Sequence, residues 1–520
     1  MEFTEKARPS PHGDGNVVDR MIEFVAPRIG LKRRAAREQL AASDYYRAAA
    51  KSRVFDDWVA GGESADVMVL QNLPTLRERS RELIRSDALA ASITSAMVRN
   101  VVGRGIRPQS RINADALGLT ADQAVEFQNA TDTIFTRWQN WADSANRLDF
   151  YGMQRLAWRK RIEDGEIFGN IIMVREPSRP YETAVELIEA DRVATPSGID
   201  NAKVRGGIVL GTRGQPVSYW IRKSHPGDGL LDANRGQKKF SRKQAWDGNG
   251  RRKIIHLYSP DRPAQSRGVP KLTPVLGKIY QLGRYLEAEE IAKRIESCFG
   301  IVIKKNVIGP WTQGGSTLNS NNEREFEFQP GFIEELQPNE DIEFVDPKRP
   351  GAMFEPYVKQ AIRTIGAGVE LPLEVVLLDF SQTSWSSART AILESRRAWK
   401  TDQDILVDRF CQPIWEALLE EAFLKGELPH VRDFYAERDL WCAADWLPDG
   451  WVWVDPVKDA TASQMSIEMG VSNLAVECAK QGRDWREVVQ TQALIEKETA
   501  EIREKLGLGS VEQPDEVFNG

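Results

Sequence analysis

Apolar residues recur at steps of three and four through residues 275–299. Val275, Ile279, Leu282 and Leu286 form one stripe, and Ile291, Ile295 and Phe299 continue it after a slip of one residue. Lys278, Arg284, Glu287, Glu289, Lys293 and Glu296 occupy the other faces. The pattern predicts a helix from Thr273, a capping residue, with Pro274 at the first position, where its missing N–H costs nothing. About 25 residues of helix reach roughly 37 Å, as long as a small domain is wide. Charge around most of such a helix suits a strut between neighbours better than a core element.

The same reading gives a long helix over Thr75 to Val102, with Leu83, Ile84, Ala88, Ile93 and Met97 inward and Gly103-Arg104-Gly105 as its stop. Further helices are expected over Thr120 to Trp141 and from Leu148. Others are expected over Tyr357 to Val369, from about Ser387 through Trp399, and over Phe410 to Lys425. From Lys458 the chain reads as helical to Leu506, with turns at Met469 to Ser472, where Ser472 is the cap, and at Gln481 to Asp484. Short alternating runs bounded by turn residues predict strands at Asn170 to Val174, Val185 to Val193, Gly207 to Leu210, Pro216 to Arg222 and Ile254 to Tyr258. Ile301 to Ile303 and Trp451 to Pro456 complete them.

Length adds that 520 residues can bury a large core and are expected to form several domains. Met1 to Asn16, polar and broken by Pro9, Pro11, Gly13 and Gly15, is expected to be disordered. The arginine run Arg28 to Arg37 reads as a solvated helix face. No apolar run is long enough to span a bilayer, and no secretory signal is present. Cys298, Cys411, Cys442 and Cys478 lie too far apart in sequence for a CxxC pair, which points away from a zinc site or disulfide framework. A net charge of −6 argues against tight, nonspecific DNA binding by the whole surface. It leaves room for a protein that lets DNA slide past.

Candidate chemistry is sparse. Asp164-Gly165-Glu166, beside Glu163, invites a metal or acid–base reading, against that of an acidic turn between helix and strand. Asp402, Asp404 and Asp408 tempt in the same way, but a spacing of two turns helical side chains apart. Ser384, Ser386 and Ser387 lack a GxSxG or SxxK setting, and nothing near Lys223 and His225 pairs them as catalysts. No phosphate loop, HExxH, EF-hand or GxGxxG occurs, so the chain is not an ATPase. Between Asn321 and Asp346 nine acidic residues face one basic residue, Arg324, with Phe326, Phe328, Phe332, Ile333 and Leu336 interleaved. This predicts a small folded hairpin unit with an acidic surface, able to dock a basic partner. Trp441, Trp446, Trp451 and Trp453 read first as core packing.

Several stretches resemble the lambda-type portal proteins of tailed bacteriophages. His256-Leu257, Asp261-Arg262-Pro263-Ala264-Gln265-Ser266-Arg267-Gly268-Val269-Pro270 and Leu272 to Leu276 look like that family's central signature. LRERSRELIRSDALAASITSAMVRNVVGRGIRPQ resembles its N-terminal segment, and YVKQAIRTIGAGVELPLEVVLLDFSQTSWSSARTAILESRR its stem, tunnel loop and following helix. The family usually has Tyr-Ser-Ser-Ala-Arg where this chain has Trp385-Ser386-Ser387-Ala388-Arg389, which keeps an aromatic ring and loses a hydroxyl. The resemblance runs in family order from about Thr75 to Leu506.

It implies an α+β, multi-domain portal fold with long stem helices, a β-rich wing, a small α/β clip and a helical C-terminal crown. The expected division is a disordered N-terminus (1–20), wing (21–266 and 401–457), stem helices (267–299 and 353–370), clip (300–352), tunnel loop with its following helix (371–400) and crown (458–520). It implies a dodecameric ring at one capsid vertex in the virion, assembled in the host cytoplasm, with no enzyme activity, cofactor, metal or membrane. Its expected partners are double-stranded DNA in the channel, the terminase large subunit, the head–tail adaptor and the major capsid or scaffold protein. Gln382, Thr383, Ser384 and Trp385 are the expected channel residues, and Glu334, Glu335 and Asp341 the expected docking residues of the clip. The competing readings are another virion connector or adaptor subunit, or a metal-dependent nuclease using Asp164, Glu166 or the Asp402 cluster.

Overall fold

The computed structural model describes residues 61–199, 202–228, 239–297, 301–305, 317–318, 324–325, 340–344, 354–381, 384–451 and 456–506. The chain divides into two compact units, Met1–Ser64 and Ala65–Gly520, and the account below concerns the second. The disorder expected over Met1 to Asn16, the arginine run Arg28 to Arg37 and most of the acidic stretch 321–346 lie outside the described residues.

The expected helix Thr75 to Val102 is two helices, α1 (Ala65–Ser86) and α2 (Ala88–Val101). Asp87 breaks them, because its extended backbone and its side chain, which accepts from Ala90 N at 2.9 Å, make it the cap of α2. After β1 (Arg107–Ser110) come α3 (Ala121–Trp138), continued by a 3-10 turn, and α4 (Phe150–Asp164). Thr120 and Gln123 form a reciprocal capping box at the start of α3. Gly165, at φ 85°, ends α4 in the left-handed conformation.

Three antiparallel strands follow in the order β3-β2-β8: β2 (Ile167–Met173), β3 (Thr183–Ile188) and β8 (Ile254–Leu257). The strand expected over Val185 to Val193 thus starts earlier and ends in a 3-10 turn at Ala190–Arg192. Between β3 and β8 lies a four-stranded antiparallel meander of β4 (Val204–Arg205), β5 (Ile208–Leu210), β6 (Pro216–Arg222) and β7 (Phe240–Gln244).

Helix α5 (Leu276–Ser297) begins three residues after the expected cap. Residues 271–275 form turns instead, and Thr273 Oγ1 is buried without a hydrogen-bond partner. Beyond it, β9 (Ile301–Lys305) pairs antiparallel with β12 (Glu340–Phe344), and the short strands β10 (Thr317–Leu318) and β11 (Arg324–Glu325) pair with each other. Then come α6 (Phe354–Gly368), the short α7 (Leu373–Leu377) and α8 (Trp385–Leu406), longer than its expected span.

A π-turn at Val407–Cys411 leads into α9 (Gln412–Leu424). Ile414, Trp415, Ala417, Leu418, Leu419 and Ala422 are all buried there, so α9 is a core helix. Helix α10 (Arg438–Trp441) precedes β13 (Ala444–Leu447), which pairs antiparallel with β1. The strand expected at Trp451 to Pro456 falls largely outside the described residues, and Trp451 itself is irregular. The chain ends in α11 (Pro456–Glu468), α12 (Leu474–Lys480) and α13 (Trp485–Lys505). Asn473, not Ser472, caps α12, and Asp484 caps α13.

One continuous core joins distant parts of the chain, with Trp138, Phe150 and Trp158 packed among Phe410, Trp415 and Trp441. Glu421 on α9 accepts from the backbone N–H groups of Glu182 and Thr183, both at 2.7 Å, and so docks α9 on β3. Burial pushes the Cys411 and Cys442 thiols up, which leaves both unreactive.

Candidate functional site

The long helices α5 and α6 are built into the core at one end only. Val275, Ile279 and Leu282 are buried, as are Ile362 and Ile365. A Cβ at Gly368 would sit 2.6 Å from Val275 Cγ1, so the close approach of α6 to the start of α5 requires glycine there. Farther out, the Tyr285 ring lies 5.9 Å from Phe354 and 5.2 Å from Tyr357. Tyr280, Ile291 and Tyr357 are exposed, so Ile291, which opens the second half of the expected apolar stripe, is not a core residue within one chain. The side chains of Ile295 and Phe299 lie outside the described residues.

After α6 the chain turns through Glu370, at φ 61°, into the segment that carries the expected channel residues. Its base is anchored. Leu371, Val375 and Val376 are buried, and Ser92 on α2 donates its hydroxyl to Val376 O at 2.7 Å. Its tip is not: Leu378 is 62% and Phe380 48% exposed. Gln382 and Thr383 lie outside the described residues. Ser384 is exposed and caps α8 by accepting from Ser387 N at 3.3 Å. Trp385 begins α8. The sequence reading passed over Leu377, Leu378 and Phe380; the LLDF run that holds them was the available signal. Of the expected docking residues, Asp341 lies on β12 in register with Lys304 of β9, and Glu334 and Glu335 lie outside the described residues.

Behind these helices sits a buried ion cluster centred on Glu166, a fully buried carboxylate. Arg267 Nε donates to its Oε1 at 2.6 Å, and Arg77 of α1 pairs with the same oxygen. Its Oε2 accepts from Gly268 N at 2.9 Å and lies 2.7 Å from His256 Nε2. The His256 ring is sandwiched between Phe168 at 4.2 Å and Tyr258 at 4.0 Å. Arg267 reaches on to the carbonyls of Val193 and Ala190, both at 2.8 Å. Arg81 bridges Asp164 at 2.6 Å and Asp191 at 2.5 Å. Asp66, at the start of α1, accepts from Ser266 N at 2.7 Å and pairs with Arg205 at 3.0 Å.

Burial by itself would raise the Glu166 pKa, but Arg267, Arg77 and His256 outweigh it and hold the carboxyl well below the usual range. Burial also drives the His256 ring below its ordinary pKa, against the pull of Glu166. The cluster thus clamps α1, the α4–β2 turn, β8 and the Ser266-Arg267-Gly268 segment into one unit that sets where α5 departs.

This geometry speaks to the nuclease reading. Both Glu166 oxygens are taken by protein donors, and Asp164 is held by Arg81. Asp402 lies 3.7 Å from Arg161, whereas Asp404 and Asp408 are exposed. Among the described residues no three His, Cys, Asp or Glu side chains converge in a way that could hold a metal ion. His225 does have polar neighbours, Asp191 at 3.3 Å and Glu189 at 3.7 Å. The tryptophans pack: Trp441 lies 5.2 Å from Phe127, Trp451 lies 6.1 Å from Trp399, and Trp446 donates to Gln412 at 2.9 Å. Trp453 lies outside the described residues. Among the described residues no helix is long and apolar enough to cross a membrane.

Comparison with known proteins bears on most of the chain. Portal protein B of Escherichia phage lambda is 22% identical over 484 residues, covering 86% of this chain and 87% of its own length.

 The "Probable portal protein" of Halomonas phage phiHAP-1 is 24% identical over 462 residues, covering 86% of this chain and 85% of its own length. A solved chain from the neck of an empty GTA particle covers 82% of this chain and 95% of its own, at 13% identity and a TM-score of 0.41, too low to add to the argument. The family model for phage portal proteins of the lambda family matches residues 51–403, more than half of the 520. The chain therefore belongs to the lambda family of phage portal proteins.

Proposed function

We propose that the chain is the portal subunit of a tailed phage: twelve copies close into a ring at one capsid vertex, and double-stranded DNA enters and leaves through its bore. The observation that carries this reading is the family match over residues 51–403, which makes the chain a structural component of the phage particle and not an enzyme. Supporting it, α5 and α6 leave the core with Tyr280, Ile291 and Tyr357 exposed, faces that an adjacent copy in a ring would cover. A ring is a closed heterologous interface, so each copy presents two different surfaces.

In this reading α5 and α6 are the stem, residues 300–352 the clip and 458–520 the crown. The segment Leu378 to Ser386 is the tunnel loop, with Gln382, Thr383, Ser384 and Trp385 facing the duplex. Polar, uncharged groups suit a tunnel loop that touches the duplex without holding it by counterion release. Glu334, Glu335 and Asp341 of the clip dock the terminase large subunit during packaging and the head–tail adaptor afterwards. The wing meets the major capsid or scaffold protein. A packaging assay tests this: capsids assembled with the chain should take up DNA into a nuclease-resistant form, and capsids assembled without it should not.

A further inference from the structure

A second feature lies on the surface where α2 meets α4. The last turn of α2, the Gly103-Arg104 turn and α4 enclose an open cleft of about 380 Å³. Four of its lining residues are arginines, Arg99, Arg104, Arg155 and Arg159, and its one acidic residue is Asp449. Asp449 pairs with Arg104 at 3.0 Å, and Arg155 donates to Arg104 O at 3.0 Å. Among the described residues the guanidinium groups of Arg99 and Arg159 have no hydrogen-bond or ion-pair partner. The cleft's lining therefore carries an excess of three positive charges, with Asp149 just outside it 4.0 Å from Arg155, on a chain whose net charge is −6.

Capping does not account for these arginines. The end of α2 is closed by backbone: Val102 N and Gly103 N both donate to Val98 O. Arg155 and Arg159 stand one helical turn apart on α4, and so line one face. Guanidinium forks match the oxygens of a phosphate, and arginine predominates where such groups are recognised. The cleft is also roomier than a single carboxylate side chain requires.

We propose that this cleft binds a phosphate group, supplied by the backbone of double-stranded DNA. Arg99 lies seven positions along α2 from Ser92, the residue that anchors the base of the candidate tunnel loop, a distance of roughly 10 Å along the helix. The cleft is thus a contact for duplex separate from the loop itself. The inference goes beyond the ring reading, and its failure would leave that reading intact.

The test is binding of a labelled 30-base-pair duplex to the full-length protein across a salt series. The Arg99→Gln/Arg159→Gln variant should bind more weakly, with the slope of log K against log salt reduced by about 1 to 2. The Arg99→Lys/Arg159→Lys variant should recover most of that slope. Both residues are exposed, so the unfolding midpoint should not move. Equal affinity and slope in parent and glutamine variant would overturn the proposal. So would a fall in native mass on substitution, which would assign the cleft to carboxylates of a second copy. Displacement of inorganic phosphate without any change in duplex binding would reduce it to a free-anion site and overturn the DNA assignment.

Discussion

Glu166 and His256 face each other at 2.7 Å, Oε2 to Nε2, in the interior of the protein. The contact crosses from β8 to the turn before β2, between residues 90 apart in sequence. Because Arg77 and Arg267 share the other oxygen, the carboxylate is the common counter-ion of two buried guanidiniums. Glu166→Gln keeps the shape and removes the charge. It should destabilise the fold by about 3–5 kcal/mol, the usual cost of stranding a buried charge. Chemical denaturation followed by circular dichroism measures this; a change under ~1 kcal/mol would show that the cluster does not hold the fold together.

The same pair sets an acid limb of stability. His256 has its pKa lowered by burial, so the folded protein keeps the ring neutral at pH values where the unfolded chain binds a proton. Its contribution is full above the ordinary value of 6.5 and is lost as pH falls below it. Glu166 has its pKa depressed, so its contribution is present above the ordinary 4.5 and is lost as pH falls toward the depressed value. Stability should decline in two stages on acidification, and His256→Asn should flatten the first. A profile that is level from pH 7 to 5 in the parent would contradict this.

Gly165 stands against the Gly268-Val269 backbone. A Cβ there would lie 2.4 Å from Val269 C and 2.6 Å from Val269 N, at a φ of 85°. Gly165→Ala should therefore cost at least about 1–3 kcal/mol from backbone strain alone, with steric overlap in addition. Unfolding midpoints of parent and variant decide the matter, and equal midpoints would refute the close approach.

Channel and clip roles separate by readout. Gln382→Lys and Ser384→Lys should slow DNA packaging at unchanged native mass, because added cations bind the phosphates that must slide past. Charge reversal at Glu334, Glu335 and Asp341 should weaken docking of the packaging ATPase and likewise leave the native mass unchanged. Packaging at the parental rate in the loop variants would count against their place in the bore.

Local signals were readable from the sequence where a single turn of chain decides the structure. Thr120 with Gln123 forms a capping box, Pro216–Arg222 forms the expected strand, and the turn before α13 ends on a capping Asp484. The break at Asp87 was harder to read, because apolar periodicity runs on through it and only the side-chain cap interrupts the helix. The start of α5 was misplaced for a related reason: Thr273 has the right chemistry for a cap, but its hydroxyl is buried without a partner. The Glu166 cluster was legible only as an acidic turn. Its partners Arg77, His256 and Arg267 lie 89, 90 and 101 residues away, and no local pattern links them. The exposure of Tyr280 and Ile291 was equally hidden, since periodicity marks an apolar face without saying whether it meets the same chain or another.

The central claim is a closed ring with a bore. The most direct measurement is the native mass of the purified full-length protein, with particle images viewed down the symmetry axis. The account predicts a mass near ~0.7 MDa, twelve subunits of 58.6 kDa, and an open centre wide enough for a DNA duplex. A stable small oligomer that cleaves DNA when a divalent metal is added would contradict it.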